Sequence, residues 1–374
     1  MSRRLTVMQL LPQLDVGGVE RGTIQIAQAL TRAGHRAIVV SAGGQLVPEL
    51  EACGAEHVSL AIGEKRLGTL RHIGALRDYL RRERVDVMHA RSRLPAWIGY
   101  LAWQGLSAST RPAWVTTVHG PYSVNSYSRI MVSGARVIAI SQFIRSYITG
   151  NYPKIEPSRI VVIPRGVDRR DYAYDFKPDV AWQAAWNVKY GALAERALLI
   201  LPARLTRWKG QRDFIDVMAL LRKRGLAVHG LIAGAAHPRN RAFEDELHAR
   251  VSALGLEGDI SFLGQRRDLR ELLAISSIAC SLTTEPEAFG RTTIEALSVG
   301  TPVVGYDYGG TAEILRNCFP QGLVPKGNIE AAADRIADLL AAPQAVPRDH
   351  PYTVEALQRA TLAVYEEVAS QGRA

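Results

Sequence analysis

Two carboxylates eight positions apart, Glu287 and Glu295, give this sequence its sharpest chemical signal. They bracket Phe289-Gly290-Arg291-Thr292, and the second runs into Ala296-Leu297-Ser298. Pro286 and Gly290 disfavour a helix at the start of the block, so Glu287 is expected on a loop at the mouth of a helix. Amides near Gly290 and Arg291 would then face an anion, because the first N–H groups of a helix have no partner within it. Glu295 should lie about a turn inside, where a carboxylate accepts two hydrogen bonds from a vicinal diol. Upstream, Arg204 and Lys209 flank the short loop Leu205-Thr206-Arg207-Trp208, a fork and a point charge suited to a diphosphate. Near the start, Asp15-Val16-Gly17-Gly18-Val19-Glu20-Arg21 places paired glycines where backbone amides can approach a phosphate. This is not G-x-G-x-x-G, which argues against a dinucleotide oxidoreductase. His119-Gly120-Pro121 ends another apolar run.

These residues need a scaffold that gathers them, and the hydrophobic pattern supplies one. Short β-branched runs at 5–11, 37–41, 85–89, 114–118, 136–140 and 160–163 alternate with amphipathic segments such as 22–33 and 73–82. A second series follows at 197–202, 228–233, 260–263, 278–281 and 302–305. Strands alternating with helices imply parallel sheets covered on both faces. Ligands of such sheets bind beyond the carboxyl ends of the strands, where every residue singled out above falls. The expected fold is therefore α/β, with two doubly wound Rossmann-like domains. Residues 1–170 form the first and 171–350 the second, divided at the polar stretch Arg169 to Asp179. A last amphipathic helix, 351–374, is expected to cross back onto the first domain.

A chain of 374 residues suits two domains. Hydrophobic residues at 47% and charged residues at 22% indicate an ordered globular protein. Cys53, Cys280 and Cys318 match no disulfide framework or C-x-x-C metal pattern, which points to a reducing, cytoplasmic setting. Gln9, Pro12, Gln13 and Asp15 interrupt the N-terminal apolar stretch, so it reads as a strand and not as a signal peptide. No stretch approaches the ~18 apolar residues of a membrane span.

The formal charge of +10 is lopsided: 24 Lys and Arg face 14 Asp and Glu up to residue 180, whereas the remainder balances at 22 against 22. Much of the excess lies between Glu64 and Arg93, where Arg77, Arg81, Arg82, Arg84, Arg91 and Arg93 accompany Leu67, Leu70, Ile73, Leu76 and Leu80. Helical spacing would put the apolar residues on one face and the basic ones on the other. That stripe is expected to meet an anionic membrane surface or a phosphorylated acceptor, with Trp97, Tyr100 and Trp103 adding depth if they face outward. No recognition motif accompanies the charge, which disfavours nucleic acid.

In order along the chain, Gly17-Gly18, His119-Gly120, Ser141, Arg204 with Lys209, Glu287-x7-Glu295 and Gly300-Thr301-Pro302-Val303 resemble the retaining glycosyltransferases of GT-B fold, which include lipopolysaccharide-core and phosphatidylinositol mannosyl transferases. The resemblance implies two domains facing a central cleft. It also implies sugar transfer from a UDP-, GDP- or ADP-linked donor to a glycan or lipid-linked acceptor such as lipopolysaccharide, at the inner face of the cytoplasmic membrane. By position, Glu287 would contact the donor sugar, Glu295 the ribose, and Arg204 and Lys209 the diphosphate. Gly17 and Gly18 would close on the diphosphate, and His119 would lie near the reacting sugar. Phe289, Gly290, Arg291 and Thr292 would complete the donor site. No cofactor or metal is implied, and the chain contains no D-x-D triplet. Two positions depart from the family pattern: Gly234-Ala235-Ala236 replaces Gly-x-Gly, and Arg165 stands where Asn is common, either as a phosphate contact or as a hinge residue. A nucleotide-sugar epimerase or sugar phosphorylase on the same architecture, and an inactive nucleotide-sugar-binding scaffold, are the competing readings.

Overall fold

The structure is a computed structural model and describes residues 3–15, 17–237 and 241–371. It divides into two compact units, residues 1–166 with 354–374, and residues 167–353. The polar stretch after residue 166 belongs wholly to the second unit: the Tyr174 hydroxyl donates to the Val346 carbonyl at 2.9 Å. The second unit thus begins before the expected 170/171 division and ends after the expected 350/351 division.

The first unit holds a seven-stranded parallel sheet. Its strands are β1 (Thr6–Leu10), β2 (Arg36–Ser41), β3 (Glu56–Ser59), β4 (Val87–Ala90), β5 (Ala113–Val118), β6 (Arg136–Ala139) and β7 (Ile160–Val162), in the order β3-β2-β1-β4-β5-β6-β7. β1 and β4 are buried because helices cover both faces; Val7, Met8, Leu10, Val87 and Met88 are fully buried, and the polar Gln9 and His89 are buried among them. β3 escapes the sequence pattern because Glu56-His57-Val58-Ser59 is a partly exposed edge strand.

In this unit the helix Val354–Gln371 packs on the helix Gly18–Arg32. Three polar contacts fix it. The buried Tyr365 hydroxyl meets His89 Nδ1 at 2.6 Å, Gln358 Nε2 donates to the Gln25 carbonyl at 2.7 Å, and Arg136 pairs with Glu367. Leu357, Val364, Tyr365 and Val368 join the apolar core.

The second unit has a six-stranded parallel sheet: β8 (Ala197–Pro202), β9 (Val228–Ala233), β10 (Ile260–Gly264), β11 (Ile278–Ser281), β12 (Val303–Tyr306) and β13 (Leu323–Val324), ordered β10-β9-β8-β11-β12-β13. β13 has two residues, too few for a periodic signal.

Both sheets reverse their strand order at one point, between β1 and β4 in the first unit and between β8 and β11 in the second. Loops leaving the carboxyl ends of two such neighbours run in opposite directions and open a crevice, where ligands of this architecture bind. Gly17-Gly18 follows β1 and Arg91 follows β4; Arg204 to Lys209 follows β8 and the Glu287 block follows β11.

Candidate active site

In the second unit the loops after β8 and β11 are locked together. Gly210 has φ +81°, and a Cβ there would stand 2.0 Å from the Leu282 carbonyl oxygen, so only glycine lets the chains pass. Thr284 N–H donates to the Trp208 carbonyl at 2.9 Å. This junction brings the Lys209 ammonium onto Glu287 Oε1 as an ion pair, with side chains only 17% and 12% exposed. Lys209 also lies 4.4 Å from the centroid of the Trp208 ring. Arg204 is exposed and makes no ion pair among the described residues.

Glu287 stands on a loop, and the helix Arg291–Ser298 starts after Gly290 at φ +91° with no side-chain cap. Its first amides are therefore available to an anion. The turn Gly309-Gly310, which the sequence analysis passed over, clamps this loop. Gly310 N–H donates to the Glu287 carbonyl at 2.7 Å, and a Cβ on Gly310 would fall 2.5 Å from Phe289 Cα. Their signal was available: paired glycines at the start of the helix Gly309–Cys318, directly after β12.

Glu295 lies inside the helix and is 3% exposed. Arg291 Nε pairs with its Oε1 at 2.8 Å, while Oε2 is buried with no hydrogen-bond partner. Burial pushes its carboxyl above the ordinary range, against the opposing pull of Arg291. A buried carboxylate oxygen without a donor is costly, and a ligand hydroxyl would satisfy it. The Arg291 guanidinium thus holds Glu295 through Nε, with its side chain 51% exposed. Thr292 is half-buried in the first turn. The Phe289 ring packs edge-on against Tyr352, centroids 5.6 Å apart, and is 6% exposed. The ring is thus turned into the core of the second unit. Gly234 meets the first loop: a Cβ there would lie 2.0 Å from the Ala203 carbonyl oxygen.

In the first unit Gly17 is extended at φ −178°, and Gly18 opens the helix Gly18–Arg32; Val16 lies outside the described residues. His119 follows β5. Its Nδ1 faces Arg165 Nη2 at 3.0 Å, its backbone N–H meets the Tyr122 hydroxyl at 3.2 Å, and its Nε2 is buried without a partner. Burial first, then the charges of Arg165 and Arg91, hold its pKa well below the imidazole range. Ser141 caps its helix by accepting from Ile144 N–H at 3.0 Å.

The basic stripe is not continuous. The helix runs His72–Glu83 and buries Leu76 and Leu80, but Leu67–Arg71 is a separate 3-10 turn, with Leu67 88% and Leu70 54% exposed. Arg77, Arg81, Arg82 and Arg84 remain at the surface; Arg81 pairs with Asp78 at 3.5 Å and Arg82 with Glu83 at 2.8 Å. Two expected surface cations are elsewhere. Arg91 is 5% exposed because it follows a central strand, and Arg93 is half-buried against the rings of Tyr122 and Tyr127 at 4.8 and 5.5 Å. Tyr100 stacks on Trp103, and Trp97 Nε1 donates to the Tyr127 carbonyl, so these aromatics are partly tied down.

Among the described residues, no three His, Cys, Asp or Glu side chains gather as a metal site, and no helix is long and apolar enough to cross a membrane.

Two family descriptions match consecutive stretches: Glycosyltransferase Family 4 over residues 16–171 and Glycosyl transferases group 1 over residues 183–352. The chain is 26% identical over 305 residues to N-acetyl-alpha-D-glucosaminyl L-malate synthase of Bacillus anthracis, covering 79% of this chain and 74% of that protein. It is 25% identical over 379 residues to phosphatidyl-myo-inositol mannosyltransferase of Mycolicibacterium smegmatis, covering 95% and 92%. Among solved structures, a glycosyltransferase from Rickettsia africae superposes with a TM-score of 0.84 at 29% identity, covering 98% of both chains. Anabaena HepE, solved with UDP-glucose, shares the fold with a TM-score of 0.73 at 23% identity, over 99% and 98%. Matches along nearly the whole chain, joined to two doubly wound units with charged loops at their switch points, place this protein in the glycosyltransferases of GT-B fold.

Proposed function

We propose that the protein transfers a sugar from a nucleoside diphosphate sugar to a cell-surface glycan or lipid-linked acceptor, with retention of anomeric configuration and without a metal. The observation that carries this reading is the cluster at the second switch point: the Lys209–Glu287 pair, the uncapped helix start after Gly290, and the unpartnered Glu295 oxygen. A ribose hydroxyl donating to Glu295 Oε2 relieves that buried acceptor. With the ribose there, the diphosphate meets the Arg291 and Thr292 amides, Lys209 and the free Arg204. HepE, solved with UDP-glucose on the same fold, supports a nucleotide-sugar ligand, with base and sugar left open.

In the reaction, Arg204, Lys209 and the helix amides offset the charge that builds on the departing diphosphate, the stage at which fixed donors lower the barrier most. Glu287 supports the positive charge developing at the anomeric carbon. The acceptor hydroxyl attacks from the face the diphosphate leaves, and a diphosphate oxygen takes its proton. His119, kept neutral, is assigned to a sugar hydroxyl, and Gly17-Gly18 to the diphosphate. Nucleotide release that depends on acceptor, with the product sugar keeping its anomeric configuration by NMR, tests this. Release without acceptor, or an inverted product, contradicts it.

The first unit is assigned to the acceptor, and its cations Arg77, Arg81, Arg82 and Arg84 to the anionic inner face of the cytoplasmic membrane. The phosphatidyl-myo-inositol mannosyltransferase relative fits such an acceptor class. Each Lys or Arg at a charged surface contributes about 1 kcal/mol, which the Asp78 and Glu83 pairs reduce. Changing the four arginines to Gln is expected to abolish sedimentation with anionic vesicles and leave donor binding intact. Wild-type protein that stays in solution with such vesicles at low salt refutes membrane docking.

A further inference from the structure

The chain enters the second unit at Val167 and leaves it at Thr353, and within that unit the two passages are clipped together. Val167 N–H donates to the Tyr352 carbonyl at 3.0 Å, Arg169 pairs with Asp349 at 2.9 Å, and Arg348 pairs with Asp175 at 2.5 Å while lying 4.4 Å from the centroid of the Tyr174 ring. Exposed ion pairs of this kind contribute little. The leaving passage is held instead by two buried side chains, His350 at 9% and Tyr352 at 6% exposure.

These two side chains grip opposite ends of the block that carries Glu287 and Glu295. Ahead of the helix Arg291–Ser298, the Tyr352 ring packs on Phe289, and its hydroxyl accepts from Asn317 Nδ2 at 2.6 Å. Asn317 belongs to the helix Gly309–Cys318, whose Gly310 amide holds the Glu287 carbonyl. At the far end, His350 Nε2 meets Ser298 Oγ at 2.8 Å. Ser298 donates its own proton to the Ile294 carbonyl at 2.6 Å, so its oxygen accepts and the imidazole proton sits on Nε2. Burial, then Arg169, hold the ring neutral with a pKa of about 4, against the opposing pull of Asp349. Nδ1 is left as a bare acceptor, buried with no partner. The imidazole is thus tied through one hydroxyl to the helical turn that contains Glu295. The entering passage closes the same end: a Cβ on Gly300 would stand 3.3 Å from Tyr174 Cε2. Within its helix Glu295 is fixed only through Oε1 on Arg291, so where the unpartnered Oε2 stands follows from where the helix stands.

We propose that His350 is a positioning residue for the donor site: through Ser298 it holds the turn that carries Glu295, so that the free carboxylate oxygen meets the ribose diol. The inference rests on the reading of Glu295 as the ribose contact. It adds the part that sets the register of that contact, the segment by which the chain leaves the unit, with Tyr352 holding the other end.

Calorimetry on the full chain tests this in wild type, Ser298→Ala, His350→Leu and His350→Gln. The probes are UDP, GDP and ADP and, for the one that binds, its 2′,3′-dideoxy form. Wild type is expected to favour the ribonucleotide about tenfold, the range of a hydrogen bond to a charged group. Ser298→Ala and His350→Leu should each cut that preference to about twofold by weakening the ribonucleotide alone, since the dideoxy form has no diol to offer Glu295. His350→Gln presents an amide N–H to Ser298 and should restore the preference. A general loosening of the unit weakens both forms alike, so equal losses overturn the positioning role. So does a preference that survives in Ser298→Ala, a variant that deletes one hydroxyl and keeps the test open if His350→Leu fails to fold. A preference that His350→Gln leaves as low as His350→Leu does also overturns it. Wild type that binds none of the three, or binds both forms equally, removes Glu295 from the ribose and overturns the donor-site reading as well; a wild-type preference unmoved by the variants overturns the positioning role alone.

Discussion

Glu287→Gln removes a charge from the donor site and keeps its shape, and the structure fixes the sign of both effects. In the free protein the Lys209 ammonium is held by Glu287, with both side chains largely out of solvent. An arriving diphosphate must share or break that pair. Two unit charges ~4 Å apart attract by about 4 kcal/mol at an effective dielectric of ~20. Rehydration and the new contact offset most of this, so competition from Glu287 costs the diphosphate about 1 kcal/mol. The variant frees Lys209 and is expected to bind the nucleoside diphosphate about fivefold more tightly by calorimetry. Turnover should move the other way, falling about 100-fold, the scale of losing one electrostatic contact to the transition state. Weaker nucleoside diphosphate binding with turnover intact would refute the assignment of Lys209 to phosphate and Glu287 to the sugar.

Arg204→Ala is expected to weaken nucleoside diphosphate binding by about 1 to 3 kcal/mol without altering stability, since the side chain is exposed and unpaired; equal affinity by calorimetry rejects its role. Glu295→Gln tests the buried carboxyl by pH. Because its folded-state value is raised, the native state binds the proton more readily, so wild-type stability falls as pH rises from the ordinary carboxyl value through the raised one. Urea unfolding should therefore show Glu295→Gln gaining on wild type across that window, and a constant difference would show that burial does not penalise the charge. Gly310→Ala forces a methyl to within 2.5 Å of Phe289 Cα, and should cost about 1 to 3 kcal/mol and lower turnover by shifting the Glu287 loop; unchanged melting and turnover would contradict the clamp. Tyr365→Phe leaves buried His89 Nδ1 without its partner and should cost about 1 to 2 kcal/mol in urea unfolding; no loss would show that this bond does not anchor the last helix.

Strands buried on both faces announce themselves, and eleven of the thirteen among the described residues lie where the β-branched runs put them. The two others, the half-exposed edge strand Glu56–Ser59 and the two-residue Leu323–Val324, carry too little apolar periodicity to register. Within the site, glycine and proline placed Glu287 on a loop before its helix, because those residues act locally. The Lys209–Glu287 pair depends on two loops 78 positions apart meeting over Gly210, and no local pattern contains that. The fates of Arg91 and Arg93 were hidden for a related reason. Periodicity cannot distinguish a cation at the end of a central strand from one on a helix face, and the same basic run supplied both.

Thermal unfolding of the full chain with UDP, GDP and ADP, in wild type and in Arg204→Ala/Lys209→Met, asks whether these loops hold a nucleoside diphosphate. One of the three nucleotides is expected to raise the midpoint of wild type and leave that of the double variant unmoved. Stabilisation of the double variant equal to that of wild type, or no stabilisation of wild type by any of the three, would contradict a nucleotide-sugar donor site built on these loops.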